Sequence, residues 1–156
     1  MQHHFESLKQ ERRDPKIVFF VPTVGLVEQQ RRMFQRYLST LKTLALSGDQ
    51  DSKLPLRELT PKYDVLVMTP QIMQNSLLEY DVQSLGLFTL LIFDECHHTN
   101  KNHPYNGIMG HYIDEKLEAE KMNQTALLPQ VFSFVAFICV AVNICCEFWS
   151  LLSSSC

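Results

Sequence analysis

Four short apolar runs recur along the chain: Ile17 to Val21, Thr43 to Leu46, Asp64 to Met68, and Leu87 to Phe93. Each is rich in β-branched, aromatic or leucine side chains and has little of the polar alternation of a half-exposed strand. This is the pattern of parallel strands covered on both faces. The intervening segments carry helical periodicity. Val24 to Leu38 is the clearest, and its Leu26, Met33, Phe34 and Tyr37 are expected to face the sheet. Pro104 to Met122 predicts another helix, opened by proline and striped by Ile108, Met109, Tyr112, Ile113 and Leu117. Asp14-Pro15 ends a polar segment, read as a helix from His3 to Arg13, just before the first strand. Leu127-Leu128-Pro129-Gln130-Val131 should lead into a further strand. Strands alternating with helices at this spacing predict a doubly wound α/β sheet. No internal repeat or long linker divides it.

A length of 156 residues fits one such domain. The formal charge of −3 gives no global sign of nucleic-acid binding, but its distribution is uneven. Residues 1–62 hold eleven Lys/Arg against seven Asp/Glu, and residues 63–156 hold three against ten. A phosphate-binding surface is therefore expected in the first half. Five cysteines, an odd number, and no apolar targeting segment at the N-terminus point to a reducing, cytoplasmic setting. Four of these cysteines (Cys139, Cys145, Cys146 and Cys156) fall in the last 18 residues, and Glu147 is the only charge between Met122 and Cys156. The chain thus divides into a body, residues 1–131, and an apolar tail, residues 132–156. Two readings of the tail stay open. Its Phe, Leu, Ser, Cys, Val and Ile are favoured by thymine-rich codons, as in translated intron, with an unused splice donor at Val131. The other reading is a membrane span within residues 131–152, although the apolar run from Val131 to Cys146 is shorter than the roughly 20 residues a span needs.

The strongest chemical signal is Leu90-Leu91-Ile92-Phe93-Asp94-Glu95, an apolar strand that ends in two acids. Ligands of open α/β sheets sit beyond the carboxyl ends of the strands, where both carboxylates would face them. One acid can anchor Mg²⁺ through water, and the next can orient the water that attacks a phosphoanhydride. A bare Asp-Glu more often caps a helix or faces solvent, so the flanking residues decide. Cys96, His97, His98 and His103 also form a group of soft and borderline ligands. Three of them are consecutive, which makes a tetrahedral zinc site awkward.

Asp94-Glu95-Cys96-His97 matches the DExD/H box of superfamily 2 helicases. The following run, His98-Thr99-Asn100-Lys101-Asn102-His103-Pro104-Tyr105-Asn106, resembles RIG-I-like receptors and their Dicer-type relatives. Upstream, Phe19-Phe20-Val21-Pro22-Thr23 with Glu28-Gln29-Gln30 resembles motif Ia, Leu46-Ser47-Gly48 motif Ib, and Met68-Thr69-Pro70-Gln71 motif Ic. The resemblance covers about His4 to Val131. It implies an incomplete RecA-like first lobe in which Asp94 and Glu95 serve hydrolysis, with Asp94 holding Mg²⁺ through water. Cys96 and His97 would relay nucleotide state. Pro22, Thr23, Ser47, Gly48, Thr69, Pro70 and Gln71 would hold an RNA backbone through hydroxyls, main-chain amides and helix N-termini. Read without the resemblance, each of these is an ordinary turn or cap.

None of the five glycines (Gly25, Gly48, Gly86, Gly107, Gly110) begins the Gly-x-x-x-x-Gly-Lys-Ser/Thr loop that cradles nucleotide phosphates. The resemblance places that loop and its strand before Arg13. The strand belongs near the middle of the sheet, so exposed strand edges are expected. Motif III is also absent, because Phe132-Ser133-Phe134-Val135-Ala136 stands where Thr-Ala-Ser is expected. The parent protein should bind double-stranded RNA and hydrolyse ATP with Mg²⁺ in cytosolic antiviral defence. This chain should hold neither ATP nor Mg²⁺ tightly and should be inactive alone. The alternative is a non-enzymatic decoy that binds RNA or associates with the full-length receptor, tethered to a membrane by its tail.

Overall fold

The computed structural model describes residues 14–47, 55–95, 103–125, 127–135 and 138–141. Among these residues six strands form one sheet: β1 (Ile17–Phe20), β2 (Thr43–Leu46), β3 (Val65–Met68), β4 (Leu90–Phe93), β5 (Gln130–Val135) and β6 (Ile138–Ala141). Their order is β2-β3-β1-β4-β5-β6. The first five run parallel, and β6 returns antiparallel to β5. Among the described residues four helices accompany them: α1 (Val24–Tyr37), α2 (Leu56–Leu59), α3 (Pro70–Leu78) and α4 (Pro104–Lys121). This is a partial RecA-like α/β sheet, as the resemblance implies.

The central strands are apolar on both faces because both faces are covered. Val18 and Phe20 of β1, with Leu66, Met68, Leu91 and Phe93, point into a core closed by α2, α3 and α4. Ile17, Val65, Val67, Leu90 and Ile92 point the other way, onto Val27 and Phe34 of α1. Phe34 meets Phe19 edge-on at 5.2 Å. The helix face read from sequence is therefore corrected. Phe34 is buried and Leu26 packs at the margin, but Met33 and Tyr37 are exposed. Val27 and Phe34 are seven residues apart, two helical turns, so they define the buried line; Met33 stands about 100° around the helix from Phe34. Tyr37 instead lies under the Arg36 guanidinium, 5.6 Å from its ring centroid. On α4, Ile108 and Met109 are buried as expected, whereas Leu117 is exposed.

The fourth strand begins later than its apolar run. Leu85–Leu87 forms a 3-10 turn, capped by the Ser84 hydroxyl accepting from the Gly86 N–H. Gly86 is needed there, since any Cβ would collide with the carbonyl oxygen of Leu127. Thr89 then ties β4 to β1: its hydroxyl accepts from Lys16 N at 3.0 Å and donates to Lys16 O at 3.1 Å.

The change in composition at residue 131 leaves no break in the sheet. β5 runs through it, pairing Leu91 with Val131, Ile92 with Phe132 and Phe93 with Ser133. Its outer edge pairs with β6, from Phe132 opposite Ala141 to Val135 opposite Ile138. Among the described residues, no helix is long and apolar enough to cross a membrane.

Candidate functional site

The site follows from strand register. Leu46, Met68, Phe20 and Phe93 are aligned across β2, β3, β1 and β4, and each is the last residue of its strand. Four neighbouring strands thus end in one row and release their next residues on the same edge. In spatial order these are Ser47, Thr69, Val21 leading to Pro22 and Thr23, and Asp94. Two hydrogen bonds carry the row beyond the strands: Val21 N donates to Met68 O at 3.0 Å, and Asp94 N donates to Phe20 O at 3.1 Å. With strands about 4.8 Å apart, three spacings place Ser47 and Asp94 roughly 15 Å from each other along the edge.

Helices begin at two points of this row. Thr23 is the N-cap of α1 and Thr69 the N-cap of α3; both have extended backbone, and neither hydroxyl makes a capping hydrogen bond. Pro70 opens α3, where a missing N–H costs nothing. The side chains of both threonines thus remain available at positive helix ends. Pro22 and Thr23 are exposed, and Ser47 and Thr69 are half-buried. Gln71 is exposed, and its amide donates to Asn75 Oδ1 at 2.7 Å. Gly48, Cys96 and His97 lie outside the described residues, as does His98 of the candidate zinc group.

Asp94 and Glu95 stand at the end of a fully buried strand and are themselves half-buried. Loss of solvent raises the Asp94 carboxyl above its ordinary value of 3.8, and the adjacent Glu95 charge raises it further; the Glu95 main-chain N–H offsets part of this. A cation beside the pair would relieve both the desolvation and the repulsion. The two carboxylates therefore fit a hard divalent ion that keeps most of its waters, as Mg²⁺ does. Among the described residues no group of three or more His, Cys, Asp or Glu forms a closed metal cage.

Two neighbours of the acid pair escape a reading by motif. His103 is the N-cap of α4, its Nδ1 accepting from Tyr105 N at 3.3 Å. Burial lowers its pKa and so favours the neutral imidazole, the form that can accept. Tyr105 is buried against Phe93 and Phe20, and its hydroxyl donates to the main-chain carbonyl of Asp94 at 2.8 Å. The signal available in sequence is a tyrosine in the first turn of the helix that follows the acid pair, but the contact spans eleven residues and has no periodic signature.

Comparison with known proteins agrees with this geometry. Residues 1–129 match the family of the Type III restriction enzyme, res subunit. The Antiviral innate immune response receptor RIG-I of Homo sapiens is 36% identical over 139 residues, covering 88% of this chain and 14% of the receptor. The ATP-dependent RNA helicase DHX58 of Mus musculus is 35% identical over 125 residues, 78% of this chain and 18% of the relative. The Endoribonuclease Dicer homolog 2 of Arabidopsis thaliana is 36% identical over 124 residues, 76% of this chain and 8% of the relative. The chain therefore spans less than a fifth of each of these relatives. A parallel sheet with its acid pair at the carboxyl edge and these matches over most of its length agree on one ancestry: the chain belongs to the superfamily 2 helicases, in the group that joins the RIG-I-like receptors to Dicer.

Proposed function

We propose that the carboxyl edge of this sheet divides between two tasks. Ser47, Thr69 and Thr23, with Pro22, Gly48, Pro70 and Gln71 beside them, hold one strand of a double-stranded RNA by its sugar-phosphate backbone. Asp94 and Glu95, at the other end of the row, belong to ATP hydrolysis. Mg²⁺, when bound, supplies charge neutralisation on the phosphates; Asp94 would hold it through water, and Glu95 would orient the attacking water. Cys96 and His97 relay nucleotide state. The observation that carries this reading is the register itself, which ends four adjacent strands in one row and so puts hydroxyls, helix N-termini and acids on a common edge.

The 156 residues contain no Gly-x-x-x-x-Gly-Lys-Ser/Thr sequence, so the chain has no amide cradle for the β- and γ-phosphates and does not turn over ATP by itself. A parent protein of this kind would bind double-stranded RNA and hydrolyse ATP in cytosolic antiviral defence. The present chain binds RNA weakly, by shape, without reading bases. A row of RNA-facing hydroxyls without a phosphate loop also favours a second reading, a non-enzymatic decoy that competes for RNA or associates with the full-length receptor.

Fluorescence anisotropy with a labelled RNA duplex tests the division of tasks. Thr69→Ala should weaken binding, and Glu95→Gln should leave it unchanged. Equal weakening by both changes, or by neither, contradicts it.

A further inference from the structure

The two acids are directed by their main chain, and that main chain is under constraint. Glu95 has a positive φ of 53°, a left-handed conformation that a residue with a Cβ rarely adopts. Such a conformation persists only where the surroundings hold it. Rotation about φ of Glu95 turns the residue against the peptide plane formed by the Asp94 carbonyl and the Glu95 nitrogen. That same carbonyl accepts the Tyr105 hydroxyl at 2.8 Å. The tyrosine has little freedom to follow a moving partner: it is 1% exposed, stands perpendicular to Phe93 at 4.9 Å, and lies edge-on to Phe20 at 6.3 Å. On the other side of Asp94, its N–H is held by Phe20 O at 3.1 Å. The peptide joining the two acids is thus fixed by β1 before it and by the first turn of α4 after it.

We propose that Tyr105 is a positioning residue for the acid pair: its hydroxyl clamps the Asp94–Glu95 peptide, holds Glu95 in the left-handed conformation, and so aims the two carboxylates together at a divalent cation. The proposal rests on the reading of Asp94 and Glu95 as a cation-facing pair. Without the clamp, Glu95 relaxes to negative φ, its Cα–Cβ bond swings away, and the site loses its second carboxylate.

The test is NMR on the full chain, with Mn²⁺ titrated as a paramagnetic probe that reports weak binding. Tyr105→Phe keeps the ring and its packing and removes only the hydroxyl. Tyr112→Phe is the matched control, because its hydroxyl, on the same helix, donates to Pro129 O at 3.4 Å, remote from the acids. The Mn²⁺ concentration that halves the Glu95 amide signal should rise about fivefold in Tyr105→Phe, the worth of one hydrogen bond. It should stay unchanged in Tyr112→Phe, and the Glu95 ¹³Cα shift should move only in Tyr105→Phe. Equal Mn²⁺ response in Tyr105→Phe and the unsubstituted chain overturns the positioning role while leaving the cation reading intact. Absence of selective broadening at residues 94 and 95 in the unsubstituted chain removes the cation reading, and the proposal with it. A measurement that needs no variant uses Mg²⁺: the Tyr105 ¹³Cζ signal should shift with the same midpoint as the Glu95 amide, and a Tyr105 signal that does not move overturns the clamp.

Discussion

Glu115 offers the sharpest test of how α4 is seated against the strand that carries the acids. Its carboxylate accepts from the Ser84 hydroxyl at 2.9 Å and from the Leu85 N–H at 2.9 Å, with His111 Nε2 at 3.2 Å. His111 Nε2 makes no hydrogen bond there, so the two 2.9 Å bonds seat the carboxylate. Both bonds go to a partly buried carboxylate, and both tie the middle of α4 to the turn that launches β4. Hydrogen bonds to charged groups contribute about 1.5–3 kcal/mol each, and Glu115→Ala strands the Leu85 N–H, while the Ser84 hydroxyl, still accepting from the Gly86 N–H, loses only its acceptor. A net loss of about 2 kcal/mol is expected, and Glu115→Gln, which retains one acceptor oxygen, should lose roughly half of that. At a urea dependence of about 1–3 kcal/mol per molar, the midpoint for Glu115→Ala should fall by about 1 M. Glu118→Ala is the control, since that side chain is exposed on the same helix. Equal urea midpoints for Glu115→Ala and Glu118→Ala would refute the clasp.

Two further outcomes bear on the acids. Asp94 is raised in the folded state, so its ionised form opposes folding above the folded pKa, and that opposition is relieved as pH falls toward its ordinary value of 3.8. Asp94→Asn should therefore be more stable than the unsubstituted chain at pH 7, with the advantage disappearing by about pH 4; an advantage that is flat or grows on acidification contradicts the assignment. The purified chain should show no RNA-stimulated ATP hydrolysis above a Glu95→Gln control, and turnover that the Glu95→Gln change removes would show that phosphates are held without the glycine loop.

What could be read from sequence is what local pattern encodes. Unbroken apolar runs mark four of the parallel strands, and the acid pair at the end of one of them marks the carboxyl edge of the sheet. Thr69-Pro70 marked a helix start. On α1, Leu26 and Phe34 pack against the sheet as expected while Met33 and Tyr37 do not, because the apolar pattern alone is too broad and only the sheet beneath decides that the line through Val27 and Phe34 is buried. The Tyr105 to Asp94 contact and the Glu115 clasp join residues 11 and 30–31 apart, so neither leaves a periodic trace. The segment after Val131 reads as foreign by composition, yet its backbone pairs in β5 and β6.

The central claim is that the carboxyl edge grips RNA through phosphates. It is tested most directly by titrating salt against binding of the full chain to two duplexes of unrelated sequence. Both should bind with the same affinity, and log K should fall linearly with log salt with a slope of only a few units, about 0.9 per phosphate contacted. Binding confined to one sequence, or indifferent to salt, would contradict it.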